Sequence, residues 1–218
     1  GFNSVYILHD REVWGQGMAR EVKKESEKIG VKVLGEEGID TKAPNYRALV
    51  TKIKQKSPDY IYMAVINQNN AGQLVKDIIS GGFKGKIMTA DGCFETSFLD
   101  SAGRENLENN LYITFAGIPP KELTGEGKKF YDEYKAKYKI EPEAYAIYGY
   151  EAASVVVEGI KRAGKKDRQA IIEAVRNMKD YIGAFGPTAF DENGDTNKVT
   201  ISGNEIKNGT FSFVKLLD

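Results

Sequence analysis

From residue 4 to residue 116 the chain alternates short apolar runs with longer stretches whose apolar residues recur at helical spacing. The runs are SVYIL (4–8), VKVLGE (31–36), DYIYMAV (59–65), KIMTA (86–90) and LYITFA (111–116). A strand wetted on one face alternates polar and apolar residues, whereas a continuously apolar strand is covered on both faces. Between the runs, Met18, Val22 and Ile29 make one helical stripe, Tyr46, Leu49, Val50 and Ile53 a second, and Leu74, Val75, Ile78 and Ile79 a third. Asn45 stands where it can cap the second helix, and Gly30 and Gly81-Gly82 stand where the first and third should stop. This alternation predicts an α/β fold built on a doubly wound parallel sheet.

The pattern breaks at GIPPKEL (117–123), where Pro119-Pro120 punctuates the chain. Helices are expected over 123–138, 143–163 and 167–178, with no strand between them. Two Asn-Gly pairs follow, Asn193-Gly194 and Asn208-Gly209, each flanked by apolar residues. Asn-Gly is a strong hairpin signal because both turn positions need positive φ, so TAFDENGDTNKVTI and NEIKNGTFSFVKLL are expected to form β-ribbon. The stripes Ala146, Ala152, Val155, Val156, Ile160 and Ile171, Ile172, Val175 need a surface to cover. The five strands already have their own helices, so residues 119–196 are expected to cover a second sheet that this chain does not contain. Left bare, such faces favour a homodimer or exchange of segments between chains.

Charge removes whole classes of function. Lys+Arg and Asp+Glu number 31 each, and no basic run occurs. Nucleic acid and anionic membrane both require clustered positive charge, so neither is an expected partner. The single cysteine, Cys93, allows no intrachain disulfide. No apolar run is long enough to span a bilayer. The chain enters its first strand by Ser4 without a charged and apolar lead-in, as expected of a mature product or of the middle of a longer protein.

Parallel sheets bind ligands beyond the carboxyl ends of their strands. Four such ends can be listed: the loop from His9 to Gly17, Asn67-Gln68-Asn69-Asn70, Asp91-Gly92, and Gly117. They offer Trp14, a set of carboxamides and one carboxylate, Asp91. That set suits a small polar molecule carrying an amine, because a carboxylate meets an ammonium in a charge-assisted hydrogen bond and an aromatic ring packs an aliphatic stem or a cation. Asp91 is therefore a candidate ammonium acceptor, and an Asp-Gly turn is the plain alternative. Trp14 is a candidate site wall or a core anchor.

Catalytic readings are weaker. His9 is the sole histidine and no serine or cysteine motif points to it. Asp91 and Glu95 could act as acid and base, but no third group is placed to separate their pKa values. GQGMAR (15–20) departs from a dinucleotide fingerprint at Arg20 and starts too far after its strand. No phosphate loop, zinc spacing or calcium loop occurs, and DENGD reads as a turn. No enzyme activity, cofactor or metal is expected.

Several stretches in order carry a family likeness: VYILHDREVWGQGMAREVKKESEKIGVKVLGEEGID, NYRALVTKIKQKSPDYIYMAV, IMTADGCF, YAIYGYEAASVVVEGIKRAG and FGPTAFDENGD. Together they resemble the second lobe of type I periplasmic solute-binding proteins, in the branch serving branched-chain amino acid ABC transporters. The resemblance implies a two-lobed clamp that closes on an amino acid, a periplasmic or otherwise extracytoplasmic location, and an ABC permease as partner. It implies a ligand site at Trp14, at Gln68 or Asn69, and at Asp91, with the Asp91 carboxylate on the α-ammonium. It implies second-lobe sheet over 1–118, first-lobe helices and hairpin over 119–196, and a return to the second lobe over 197–218. The core of the first lobe is absent from these residues, so the chain is expected to be a fragment. A ligand-sensing regulatory or receptor domain of the same fold, binding a small amide or amino acid, is the second reading.

Overall fold

The computed structural model describes residues 1–198 and 200–217; Val199, in the first segment expected as ribbon, and Asp218 lie outside the described residues. The chain divides into two compact units, Gly1–Phe115 with Ser202–Leu217, and Ala116–Ile201.

The first unit runs β1 (Ser4–His9), α1 (Val13–Lys28), β2 (Lys32–Gly38), α2 (Arg47–Lys56), β3 (Tyr60–Ala64), α3 (Ala71–Ser80), β4 (Lys86–Thr89), α4 (Thr96–Ala102) and β5 (Leu111–Phe115), then β8 (Ile201–Lys207) and β9 (Thr210–Leu217). Its sheet has seven strands in the order β2-β1-β3-β4-β5-β8-β9. The first five are parallel and β8 joins β5 antiparallel. The sheet is thus doubly wound, as the alternation predicts. The second expected ribbon forms, and its strands β8 and β9 extend the sheet. Its alternating burial, with Ser202, Asn204 and Ile206 inward, marks β8 as an antiparallel strand covered on one face. Asn208 and Gly209 between β8 and β9 both have positive φ, at 51° and 70°, the conformation that makes Asn-Gly a hairpin turn.

Handedness distributes the helices. The crossover from β1 to β2 runs one way along the sheet, and those from β2 to β3 and from β3 to β4 run the other way. Right-handed connections then put α1 on one face and α2 and α3 on the opposite one. Ala19, with Met18 and Val22 beside it, packs on Val5, Ile7, Tyr62 and Ala64. The intervening Leu8, Ile61 and Met63 point to the other face and are fully buried. Ile29, expected on the α1 stripe, is 73% exposed because the helix ends one residue earlier, at Lys28.

The second unit contains α5 (Gly125–Tyr138), α6 (Ala146–Ala163), α7 (Arg168–Arg176), β6 (Tyr181–Gly183) and β7 (Gly186–Thr188). Leu123, Ile147 and Ala184 form its core with Phe130, Tyr148 and Phe185. The buried face of α6 is Ile147, Glu151, Val155 and Gly159, so Val156 and Ile160 of the expected stripe are exposed. Gly159 sets this register, since a Cβ there would lie 2.5 Å from Val175 Cγ2 of α7. The first expected ribbon is corrected. Between β7 and β8 its described residues make the isolated bridge Phe190 to Thr196. Asp191 Oδ1 accepts from Asn193 N and Asp195 N at 2.9 and 2.8 Å and folds the stretch into a turn. The hairpin of this unit is β6–β7 instead.

Entry to α2 is fixed from α3. Asn45 Oδ1 meets Arg47 N at 3.3 Å, but the shorter bond comes from Asp77, whose Oδ2 accepts from Tyr46 N at 2.6 Å. Gln73 Nε2 donates to its Oδ1 at 3.0 Å, and Asp77 is only 4% exposed. Asp77→Ala would strand a buried N–H, a loss of about 1–3 kcal/mol. We expect the urea midpoint to fall accordingly at an unchanged m value; an unmoved midpoint would show that α2 does not depend on this carboxylate.

Candidate functional site

In this strand order the winding reverses between β1 and β3, so the loops leaving their carboxyl ends diverge to opposite faces and open a crevice. Asp10 lies at that point and is 3% exposed. Its Oδ1 accepts from Glu12 N at 3.1 Å, and its Oδ2 accepts from Asn69 Nδ2 at 2.9 Å and Ile66 N at 3.3 Å. One carboxylate thus takes donors from the loops after β1 and after β3. The start of α1 has to come close for this. A Cβ on Gly15 would sit 2.2 Å from Asp10 Oδ1 and 2.7 Å from the Ala64 carbonyl oxygen.

Trp14 is the second residue of α1 and is 37% exposed, so it does not anchor the core. His9 Nδ1 accepts from Arg11 N at 3.1 Å, and Arg11 turns away to donate to the Gly38 carbonyl at 2.9 and 3.1 Å. After β3, residues Asn67–Asn69 form a single 3-10 turn. Asn67 Nδ2 and Gln68 Nε2 both donate to Glu95 Oε1, at 2.7 and 3.0 Å.

Asp91 opens the 3-10 turn Asp91–Cys93 after β4 and is half-buried. That turn is pinned from below. Thr89 Oγ1 donates to the Met63 carbonyl at 2.9 Å and Cys93 Sγ to the Val65 carbonyl at 3.1 Å. Phe94 stacks on Phe115 and Phe211 with centroids 4.7 and 4.2 Å apart. What comes close to Gly92 is the chain itself, since a Cβ there would meet Ile66 Cγ2 at 2.7 Å.

The charges at this edge are felt by their neighbours. Burial first, and then the Asp91 carboxylate, raise the Tyr62 phenol well above its ordinary range. Burial pushes the Cys93 thiol up to about 12, with further push from Glu95, Asp91 and Asp10. The edge therefore carries Asp10 and Glu95 besides Asp91, where the sequence reading had counted one carboxylate. Nothing here arranges a nucleophile with a base. No cluster of histidine, cysteine and carboxylate groups among the described residues could hold a metal ion.

The family model for periplasmic binding protein matches residues 1–207. The chain belongs to that family. It is a family of binding proteins, not of enzymes. A leucine-binding protein of Thermotoga maritima is similar in structure, with a TM-score of 0.91 at 28% identity over 100% of this chain and 61% of that one. A branched-chain amino acid transporter substrate-binding protein of Streptococcus pneumoniae, solved with isoleucine, has a TM-score of 0.87 at 25% identity over 98% of this chain and 59% of its own. Leu/Ile/Val-binding protein homolog 1 of Brucella abortus is 28% identical over 88% of this chain and 50% of its own length. This chain spans about half the length of the curated relatives it matches. No helix among the described residues is long and apolar enough to cross a membrane.

In this periplasmic binding protein chain, Trp14, Gln68, Asn69 and Asp91 all follow carboxyl ends of strands in one sheet: Trp14 in the first turn of α1, Gln68 and Asn69 after β3, and Asp91 after β4. The amide nitrogens of Gln68 and Asn69 are each engaged by a carboxylate. Asp10, Asn67 and Glu95 were not singled out as binding residues. Asp10 follows a buried strand in HDR, but its role depends on which strands are neighbours. Glu95 reaches a loop 27 and 28 residues away.

The Cys93 shift has a definite sign. The thiol is neutral in both folded and unfolded chains below its ordinary value of 9.0; from there to about 12 only the unfolded chain releases its proton. This contribution to stability is complete below pH 9 and lost as pH rises toward 12. A thiol reagent at pH 8 is expected to leave Cys93 unlabelled in the native protein and to label it fully in urea; rapid native labelling would contradict this burial.

Proposed function

We propose that the protein carrying this chain is an extracytoplasmic receptor that binds a small aliphatic or branched-chain amino acid and delivers it to an ABC permease. The observation that carries this reading is the placement of Asp91 on a rigidly pinned, half-buried turn at the carboxyl edge of the sheet. The ligands of the relatives support it: leucine for the Thermotoga protein, isoleucine in the Streptococcus complex, and leucine, isoleucine, valine, threonine and alanine for a Pseudomonas aeruginosa relative. In this reading Asp91 accepts the α-ammonium, Trp14 packs the side chain or stem, and Gln68 and Asn69 contribute polar contacts. The ligand's carboxylate is held by the part of the family's fold that this chain does not span. Pairing both charged ends gives specificity, because an analogue lacking one end leaves a buried partner unsatisfied. Residues 119–196 are the portion that serves the other lobe, and 197–218 return to this one.

Trp14, the only tryptophan, reports directly on the site. Its fluorescence should be titrated with an amino-acid panel and the matched N-acetyl analogues, on the 218-residue chain and on the protein extended to the length of its relatives. We expect the extended protein to saturate with free amino acids and not with acetylated ones, and the shorter chain to bind more weakly. Asp91→Asn should weaken binding about 10- to 100-fold, the range for a hydrogen bond to a charged group. Equal responses to free and acetylated ligands would remove Asp91 from this role.

A further inference from the structure

The carboxamides after β3 have a fixed polarity. A carboxylate can only accept a hydrogen bond, so an amide that touches one must turn its nitrogen toward it. Asn67 gives its amide nitrogen to Glu95 Oε1 at 2.7 Å and to Ser97 Oγ at 3.0 Å, which uses both hydrogens. Gln68 gives its nitrogen to the same Glu95 oxygen at 3.0 Å. Asn69 gives its nitrogen to Asp10 at 2.9 Å. In each case the carbonyl oxygen is the amide atom that does not face the carboxylate. An unrestrained glutamine can exchange its oxygen and nitrogen by a half turn of its last torsion and so greet a donor or an acceptor alike. Here that turn would set the Gln68 oxygen against the Glu95 oxyanion, two acceptors with no proton between them.

We propose that Glu95 is a positioning residue for ligand recognition: by holding the Gln68 nitrogen, it makes the loop after β3 an acceptor surface that selects a primary ammonium group. The proposal rests on the receptor reading above and adds a division of labour to it. Charge is read by Asp91, on the end of the neighbouring strand β4. A trimethylated ammonium carries the same charge as a primary one but no N–H, so a carboxylate alone discriminates poorly between them. Each neutral acceptor oxygen, by contrast, rewards an N–H and gains nothing from a methyl. Gln68 is exposed, so it is open to a ligand arriving at this edge; Glu95 is half-buried and acts through it. The surroundings suit this role. Burial first, and then Glu95, Asp91 and Asp10, push up the thiol of Cys93 on this edge. Two of them, Asp10 and Glu95, hold amide nitrogens.

The test uses the extended protein and calorimetry with leucine, N-methylleucine and N,N,N-trimethylleucine as probes. The native protein should lose affinity with each methyl added. Glu95→Gln preserves shape but frees the Gln68 amide to rotate; leucine affinity should fall about five- to tenfold, the scale of one hydrogen bond. The preference for leucine over N-methylleucine should fall with it, at an unchanged melting temperature. In a Gln68→Ala background, Glu95→Gln should cost nothing further, because the two act as one unit. An unchanged leucine preference in Glu95→Gln, or losses that simply add, would overturn the proposal. If Glu95→Gln perturbs the fold, Gln68→Leu, on an exposed side chain, replaces it; an unchanged preference there overturns the proposal equally. Failure of the native extended protein to bind any amino acid would overturn the receptor reading and this proposal together. Binding that is lost in Asp91→Asn, with an unaltered preference in Glu95→Gln, would overturn this proposal alone.

Discussion

The carboxylate of Asp10 ties together the loops on the two sides of the sheet's switch point. On either side of the switch point the loops leave in opposite directions. A buried anion that accepts from Glu12 N, Ile66 N and the Asn69 side chain closes that gap with directional bonds. A buried charge is tolerated only when its lone pairs are met, and here the donors that meet it are those of the loops that must be positioned. Gly15 follows from the same constraint, because any side chain would occupy the space of Asp10 Oδ1. The placement of the candidate ligand groups thus rests on electrostatics built into the strand ends.

The second anchor, at β4, is of a different kind. Thr89 and Cys93 donate to carbonyls of the β3 segment, while Phe94 is held between the rings of Phe115 and Phe211. Apolar stacking and buried neutral hydrogen bonds fix the Asp91 turn, and the apolar surroundings keep the neighbouring Tyr62 and Cys93 neutral. Three carboxylates at one edge would repel each other if all were bare. Amide and backbone donors engage Asp10 and Glu95, which lets the edge stay negative without becoming incoherent.

The sheet was legible because its cause is local: continuous apolar runs alternating with helical stripes can satisfy their backbone groups in few ways. The resemblance carried the same chain to its family. Where reading failed, the deciding partner was distant. Asp77 rather than Asn45 makes the shorter bond at the entry to α2, and it comes from a helix 31 residues away. Of the stripe expected on α6, Val155 faces in, while Val156 and Ile160 do not, because close packing at Gly159 sets the helix's rotation. Asn208-Gly209 joins two full strands, whereas Asn193-Gly194 turns a stretch held by the bridge of Phe190 to Thr196, with Asp191 accepting from Asn193 N and Asp195 N. In the same way Trp14 and Asp91 could be picked out as residue types at strand ends, while the roles of Asp10 and Glu95 exist only once β1 and β3 are neighbours.

The antiparallel pairing of β5 with β8 ends at Phe115 and Ser202, which are direct partners across the ladder. The chain leaves the first unit after one of these residues and re-enters it at the other, so the whole excursion is spliced between two adjacent rungs. For the sheet, that interruption is equivalent to a hairpin loop of arbitrary length, and loop length alone costs little. Chain surgery becomes geometrically simple as a result: a two-residue turn could seal the rungs, or a different module could be grafted at the same junction, with the register of every strand in the first unit preserved.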